Sequence, residues 1–429
     1  MGSIAAKRPR SRLFYGWYIL VSSFFILFFT SGARYSFGVM FKPMLAEFGW
    51  SRSAMSFAFF LNMTCFAFSI VLAGKLYDRY GPRWVIVAAT IFLTVGYCLT
   101  ARVHDLRGFY FTYGILAAIG LGGTSVPLIA TLTSKWFVKK RGLAVSLSLA
   151  GNCMGQFALL PLFTLFALRF GWRISFLLIG VIIFFVNTTL ALFVIRGDPG
   201  HLGYEPFGSG GEEKLDRGRG TASSDQTLQD LGLCEAMRTS SFWYFLTLMF
   251  ICGSGDFIVV THLIPYVTDH GVSPGTAGHM LAWFGFMSLV GILIAGPVSD
   301  RIGSKIPIAF AFLVRVLSFL FVLKYQDPVS FYVFSLTFGL TYLITGPLTP
   351  ILVGRLFGTT HVGYISGFVS TLHHIGGGFW AYMGGWIFDQ TGSYRLAFML
   401  SAAMAFLAMI CALLIREERH LSVSQANRS

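Results

Sequence analysis

A small set of ionisable side chains lies deep inside long apolar stretches of this 429-residue sequence: Arg34, Asp256, Arg315, His373 and His374. The planar guanidinium of an arginine can bind a carboxylate through two parallel hydrogen bonds. An aspartate that is removed from water can carry a proton, and a histidine can change its charge near neutral pH. These residue types therefore predict binding of an organic anion, coupled to the movement of a proton.

The stretches that hold these side chains are long enough to cross a lipid bilayer. Hydrophobic residues make up 55% of the chain and charged residues only 12%, against about 25% charged residues in an average soluble domain. Twelve apolar segments reach the roughly 20 residues that a membrane helix needs, and the strand-like alternation of a barrel is absent. The sequence thus predicts an all-α membrane protein with twelve transmembrane helices. A charge at their centre costs about 2.5–3.5 kcal/mol, which marks the deep side chains as functional candidates.

The distribution of charge excludes a nucleic-acid partner and indicates an orientation. The net charge is +14, but the basic residues form short clusters between apolar segments instead of one continuous face. With both termini in the cytoplasm, 22 lysines and arginines fall on cytoplasmic segments and 8 on external ones. This bias favours that orientation. We expect an integral protein of a bacterial inner membrane that functions as a monomer.

Cofactor and catalytic signatures are missing from the sequence. The six cysteines show no metal-binding spacing, and the glycine-rich segment from Gly120 to Pro127 lacks the ending of a phosphate loop. We therefore expect no metal and no cofactor, and we interpret this glycine-rich segment as a site of helix packing or bending. No catalytic constellation lies at membrane depth, so an enzyme is not expected.

An internal repeat divides the chain into two related halves. The run GKLYDRYGPR, from Gly74 to Arg83, returns as GPVSDRIGSK, from Gly296 to Lys305, at a separation of 222 residues. We predict two six-helix bundles, residues 1–195 and 242–429, joined by a cytoplasmic linker, 196–241.

The same separation maps Arg34 onto Asp256. Two halves that face each other about a pseudo-twofold axis would project these side chains into one cavity, Arg34 to bind the substrate and Asp256 to couple the proton. A buried structural ion pair between them is the alternative. Arg315 either joins helices or contacts substrate, and one of His373 and His374 is expected to line the cavity.

Four further polar residues are candidates for the substrate site: Tyr35, Asn152, Gln156 and Tyr342. Asn152 and Gln156 are four residues apart and belong to a polar stripe on helix five, for which hydrogen bonding between helices is the alternative interpretation. The two tyrosines are placed to close around a small substrate.

The repeated loop motif carries a family resemblance. GxLxDRxGxR, with Asp78 and Arg79 in the first half and Asp300 and Arg301 in the second, resembles the loop motif of the major facilitator superfamily. The resemblance implies the major facilitator fold, alternating access, and a conformational latch at these four residues that steadies the outward-open state.

A second motif narrows the resemblance. The run WFVKKRGLAVSLSLAGNCMG, from Trp136 to Gly155, resembles the fifth-helix signature of the monocarboxylate porter family, which is related to the oxalate and formate antiporters. Within it, Gly151 and Gly155 form a GxxxG packing face. Helix eight differs from the family pattern, since His279 is its only ionisable residue where mammalian porters carry an aspartate and an arginine.

The resemblance implies proton-coupled symport of small organic monoanions, of the monocarboxylate class, through the bilayer. Two other functions are kept as alternatives. One is exchange or export of an organic anion, which a second cation in the cavity would favour. The other is a sensor that binds the same substrate without transporting it.

Overall fold

The computed structural model describes residues 14–208, 231–358 and 361–416 of the chain. These residues fold into helices that cross the molecule twelve times, without a β-sheet among them. Ten of the helices are long and apolar enough to cross a membrane. One of these, Arg141–Phe193, holds two passages because Gly171 breaks it with φ 78°, and Val362–Thr391 completes the twelve. The prediction of an all-α membrane protein is confirmed.

The first six helices run along the chain with short connections. Their bounds are α1 Tyr15–Phe48, α2 Arg52–Tyr80, α3 Pro82–Thr100, α4 Leu106–Trp136, α5 141–170 and α6 172–193. Helix α1 changes direction at Ser36, between Tyr15–Tyr35 and Phe37–Phe48.

The second six follow a connection that contains a short 3₁₀ turn, Pro199–Leu202, and a short helix, Leu233–Ala236. Their bounds are α7 Ser240–Asp269, α8 Pro274–Ile302, α9 Lys305–Lys324, α10 Pro328–Phe357, α11 Val362–Thr391 and α12 Arg395–Leu414. The central part of the expected linker, residues 209–230, lies outside the described residues.

The internal repeat is visible in how the helices begin. Ser51 caps α2 by accepting a hydrogen bond from a backbone N–H three residues on, and Ser273, 222 residues later, caps α8 in the same way. Asp105 caps α4 and its counterpart Asp327 caps α10. Side-chain oxygens at these positions satisfy backbone donors that the first helical turn leaves free. Equivalent sequence positions therefore build equivalent helix starts in both halves.

Glycines bring one pair of helices in each half into close contact. A methyl group on Gly151 or Gly155 of α5 would overlap the backbone carbonyls of Phe24 or Phe28 on α1. In the second half, a methyl group on Gly253 of α7 would overlap the carbonyl of His373 on α11. Small residues allow such approach of two backbones in a membrane helix bundle. The predicted packing face on α5 is confirmed, and it sets the distance between α1 and α5.

The glycine-rich segment of α4 serves both packing and a bend. Gly120 and Gly123 lie against the backbone and side chains of α3, around Ala89 and Leu93. The helix stops at Gly123, and a second piece starts at Val126 after the non-helical Thr124. The interpretation of this segment as a packing and bending element is confirmed.

The α1–α5 contact yields a stability prediction. Gly155→Ala is expected to lower the free energy of unfolding by about 1–3 kcal/mol, because the added methyl group has no room beside the carbonyl of Phe28. Gly142→Ala, in the same helix but with open space around the new methyl group, is the matched control. Thermal unfolding midpoints of the two purified variants test this. Equal midpoints would contradict the close contact.

Candidate functional site

A cluster of charged residues joins the two halves at one end of the molecule, called here the far side. It consists of Lys42 and Arg52 from the first half and Asp269, Asp389 and Tyr394 from the second. Both terminal nitrogens of Arg52 contact the carboxylate of Asp269, at 2.7 and 3.0 Å, and the Lys42 Nζ lies 2.6 Å from the same carboxylate. This bidentate pair with a second cation closes the far side.

The start of α2 strengthens this far-side cluster. The backbone N–H groups of Arg52 and Ser53 donate to the two carboxylate oxygens of Asp389 on α11, at 3.0 and 2.8 Å. A carboxylate is favoured at a helix N-terminus, where backbone donors and the helix dipole meet. The second half therefore caps a helix of the first.

Contacts between the halves continue below the cluster to mid-height. Ser56 lies 3.3 Å from Nε2 of His262, and the hydroxyls of Tyr35 and Tyr342 lie 3.1 Å apart. Among the described residues, the hydrogen bonds and ion pairs that join the halves all lie at these levels or further toward the far side. These contacts join the halves from the far side to mid-height, and the connection around Pro199–Leu202 lies at the opposite end.

Asp256 forms its ion pair with Arg315 instead of Arg34. The Arg315 Nη2 lies 2.8 Å from Oδ1 of Asp256, and both side chains are 2% exposed. The alternative of an Arg34–Asp256 ion pair is wrong, and Asp256 is enclosed rather than open to a shared cavity. Arg315 turns inward from α9, because an arginine on an apolar helix avoids lipid when an acid is within reach.

A break in α10 supplies the rest of the environment of Arg315. The helix is interrupted after Tyr342 and resumes at Thr345, which leaves backbone carbonyls without helical partners. The Arg315 Nη2 donates to the carbonyls of Thr341 and Tyr342, at 3.0 and 3.2 Å. The guanidinium therefore directs its hydrogen bonds to the carbonyls of a helix end, where a cation is favoured.

The carboxylate of Asp256 is poorly supplied with hydrogen bonds. Its Oδ1 accepts none despite the nearby guanidinium. Its Oδ2 receives the thiol of Cys252 at 3.5 Å, and Nε2 of His373 lies 3.8 Å away. A buried carboxylate with so few donors is the kind of group that protonation stabilises.

Arg34 has no acidic partner among the described residues. Its guanidinium lies over the ring of Phe66 at 4.3 Å and near that of Phe257 at 5.5 Å. Within the described part of the chain, its hydrogen-bond contact is from Nη2 to the weakly accepting sulfur of Met63, at 3.1 Å, and its Nε has no acceptor. Arg34 is part-exposed. It is a cation between two aromatic rings with donors left for an incoming ligand.

Both histidines lie between Arg34 and the Asp256 pair. The His374 ring packs 5.0 Å from the ring of Phe66, and the two histidine rings each lie 5.7 Å from that of Phe257. His373 is 15% exposed and contacts Asp256 on its inner side. His374 directs its Nδ1 to the carbonyl of Ser370 in its own helix, 2.7 Å away. Which of the two histidines lines the site stays a prediction.

Two further predicted residues, Asn152 and Gln156, lie on α5 and differ in how exposed their side-chain amides are. Asn152 accepts a hydrogen bond from Ser31 of α1 and is part-exposed. Gln156 is buried and donates to the carbonyl of Leu281 on α8, at 3.2 Å. The amide of Gln156 therefore joins α5 to α8, in agreement with the interhelical alternative, whereas Asn152 remains open to a ligand.

The predicted latch residues lie at the end opposite the far side. Asp78 and Arg79 are exposed near the end of α2, and the described residues offer them no ion pair. Asp78 lines a cavity of about 280 Å³ between α2 and α4. Arg301 is exposed in the last turn of α8, and the side chain of Asp300 lies outside the described residues.

The far-side cluster was missed by sequence reasoning, although a signal exists. Only 8 of the lysines and arginines fall on external segments, so each charge there is conspicuous. Arg52 begins α2 and Asp269 ends α7. In the predicted topology both of these helix ends lie on the external side of the membrane. The sequence also left the partner of Arg315 undecided.

Comparison with known proteins adds family information to this geometry. Residues 23–271 and 245–429 each match the family model described as Major Facilitator Superfamily. The chain is 24% identical over 387 residues to the uncharacterized MFS-type transporter YcxA of Bacillus subtilis (strain 168), with 89% of this chain and 90% of that protein covered. It is 25% identical over 395 residues to monocarboxylate transporter 13 of Bos taurus, with 91% and 86% covered.

Solved structures share the fold at low sequence identity. A bacterial homologue of the human lysosomal transporter Spinster, in an inward-facing and occupied conformation, gives a TM-score of 0.72 at 13% identity, with 94% of this chain and 97% of that chain covered. The D-xylose-proton symporter gives 0.72 at 14% identity, with the same coverage. The predicted fold is confirmed.

The Asp256–Arg315 pair yields a stability prediction. Arg315→Leu is expected to lower the free energy of unfolding by about 3–5 kcal/mol, because it leaves a buried carboxylate without its counter-charge. The double variant Asp256→Leu with Arg315→Leu removes both charges and should recover most of that loss. Thermal unfolding of the two proteins in detergent measures the difference. A double variant as unstable as the single one would assign the loss to packing instead.

Proposed function

The chain belongs to the major facilitator superfamily of membrane transporters, and from this we propose that it is a proton-coupled symporter of small organic monoanions, of the monocarboxylate class. The observation that carries the proposal is the unpartnered guanidinium of Arg34 between the two halves. A carboxylate bound there would receive two parallel hydrogen bonds from the planar guanidinium.

The balance of deep charges supports a substrate with one negative charge. Among the described spans, Asp256 neutralises Arg315, which leaves the single positive charge of Arg34 to be balanced. A monoanion would bring the site close to neutral, and a neutral site crosses the low-dielectric centre at the least cost. The pairing of Arg315 also removes the second free cation that exchange of larger anions would use.

The aromatic side chains around Arg34 favour a substrate that has an apolar part next to its carboxylate. Phe66 and Phe257 cover the faces of the Arg34 guanidinium, so a carboxylate would approach in the guanidinium plane. The hydroxyls of Tyr35 and Tyr342 contact one another across the halves, and Asn152, His373 and His374 are part-exposed. The resemblance to monocarboxylate transporters supports the same class.

Asp256 is our proposed proton carrier, with His373 as its route to the site. The carboxylate of Asp256 has an oxygen without a hydrogen bond, and the part-exposed His373 lies between it and the region of Arg34. A proton on Asp256 would release Arg315 from its ion pair and change the contacts that hold α7, α9 and α10 together. Such a change alters the relative stability of two conformations, which is what coupling requires.

Alternating access completes the proposal. In this conformation the far-side cluster is closed, and the exposed Asp78 and Arg79 form no ion pair with any residue that the structure describes. We propose that the opposite conformation breaks the cluster and engages the latch of Asp78, Arg79, Asp300 and Arg301 at the cytoplasmic side. The proposal includes bundles of residues 1–195 and 242–429 with a linker at 196–241, both termini in the cytoplasm, and a bacterial inner membrane.

Substitution of Arg34 tests substrate binding. Arg34→Lys is expected to weaken binding of the preferred organic acid by about tenfold or more, because an ammonium cannot make the bidentate contact. A thermal-shift screen of monocarboxylates at two pH values identifies the acid and measures the loss. Arg169→Lys, at an exposed position, is the matched control. Equal affinity in Arg34→Lys and the unsubstituted protein would remove Arg34 from the site.

Substitution of Asp256 tests proton coupling. Asp256→Asn cannot take up a proton, so a pH gradient across proteoliposomes is expected to drive no accumulation of the acid. Counterflow between equal pools of the acid, which needs no net proton movement, is expected to remain. Accumulation at the unsubstituted level would reject the coupling role, and absence of flux in the unsubstituted protein, despite binding, would favour the sensor.

A further inference from the structure

We propose that Cys252, Asp256 and His373 form a binding site for a soft divalent metal ion such as Zn²⁺ or Cd²⁺, and that an ion bound there arrests transport. Neither the sequence spacing nor the family resemblance points to this site. Its thiol, carboxylate and imidazole come from α7 and α11, and one ligand atom of each lies within 4.8 Å of the other two. Thiolate, imidazole and carboxylate are the donors that zinc selects in proteins.

The two helices place the donors on one side of a close contact. Cys252 and Asp256 are four residues apart on α7 and therefore share a face. Gly253 lets the backbone of α11 approach α7 at the carbonyl of His373. The contact that holds the two helices together thus carries the imidazole to the thiol and the carboxylate.

The orientation of the His373 ring directs the lone pair of its Nε2 toward the carboxylate of Asp256. Its Nδ1 lies 3.3 Å from the carbonyl oxygen of Met249, and a carbonyl can only accept, so in the neutral ring Nδ1 carries the hydrogen. Nε2 is then an unprotonated nitrogen facing Oδ2 of Asp256 at 3.8 Å. Two acceptors that face one another favour a cation between them. A backbone carbonyl that fixes the second ring nitrogen is the usual support of a metal-binding histidine.

The neighbouring Arg315 contacts the carboxylate through the oxygen that the metal would leave free. Its Nη1 also lies 3.5 Å from Sγ of Cys252, and a sulfur–metal bond would replace that hydrogen bond. Its guanidinium approaches Oδ1 of Asp256 and donates to the carbonyls of Thr341 and Tyr342. The thiol and the imidazole converge on Oδ2. The carboxylate can therefore hold the arginine with one oxygen and the metal with the other.

Binding would exchange the thiol proton for the metal. The S–H bond of Cys252 breaks, its proton leaves to water through the opening beside the part-exposed His373, and a sulfur–metal bond forms. A gain of two positive charges with the loss of one proton raises the charge of the site by one. The ion would occupy Oδ2 of Asp256, the oxygen that faces His373, so the route between His373 and the proposed proton carrier would be blocked while the metal is bound.

Cadmium binding to the purified full-length protein tests the site directly. Cd²⁺ is expected to give a thiolate-to-metal charge-transfer band in the ultraviolet, and Cys252→Ser is expected to abolish it. His373→Gln keeps the thiol and should weaken binding by about tenfold or more. Cys234→Ser, which removes an exposed thiol outside the site, is the matched control and should retain the band. A band of full strength in Cys252→Ser would overturn the proposal.

Transport supplies the second measurement. Zn²⁺ is expected to inhibit uptake of the acid by the unsubstituted protein, whereas Cys252→Ser should keep, in the presence of Zn²⁺, the rate of uptake that it shows without the metal. Equal inhibition of both proteins would overturn the arrest. The inhibition of transport by the metal rests on the proposed function, whereas the binding of the metal does not. A cadmium band that depends on Cys252, in a protein that transports no monocarboxylate, would uphold the metal site and reject the transport proposal.

Discussion

The ion pair between Asp256 and Arg315 determines the character of the whole site. Two arginines and one aspartate lie deep in the described spans, so only one arginine can have a counter-charge. The pair forms within the second half, where a break in α10 adds two carbonyls to the arginine. Arg34 is left with sulfur and aromatic partners. The second half thus holds a neutral, buried pair, and the first half presents the free cation.

Backbone packing places these groups with little freedom. Glycines draw α1 against α5 and α7 against α11, and these four helices carry Arg34, Asn152, Asp256 and both histidines. Small residues are effective here because lipid tails provide no hydrophobic driving force between helices, so close packing must hold the bundle. The far-side cluster differs in kind, since charged side chains in reach of water can separate at a modest cost. Close glycine contacts also join the halves, since a methyl group on Gly385 of α11 would meet the backbone carbonyl of Arg52 on α2.

The sequence predicted the fold well because a bilayer restricts the choices. Long apolar segments must be helical, and a repeat of 222 residues predicted equivalent helix starts that Ser51 and Ser273 display. The deep charges were identified as a set, but their pairing was not. Pairing depends on which way α9 turns and on where α10 breaks, and neither leaves a periodic signal. Cys252 looked like a small core residue for the same reason, because its partner His373 is distant in sequence.

Positions 34 and 256 are the same position of the repeated unit. In a dimer of two identical subunits, that position would have carried the same side chain on both sides of the twofold axis, and like charges would have faced one another. A single chain with two unlike halves is free of this requirement, so an arginine can occupy one copy of the position and an aspartate the other. Broken symmetry is what allowed a permanent cation and a titratable acid to occupy matching places in one molecule.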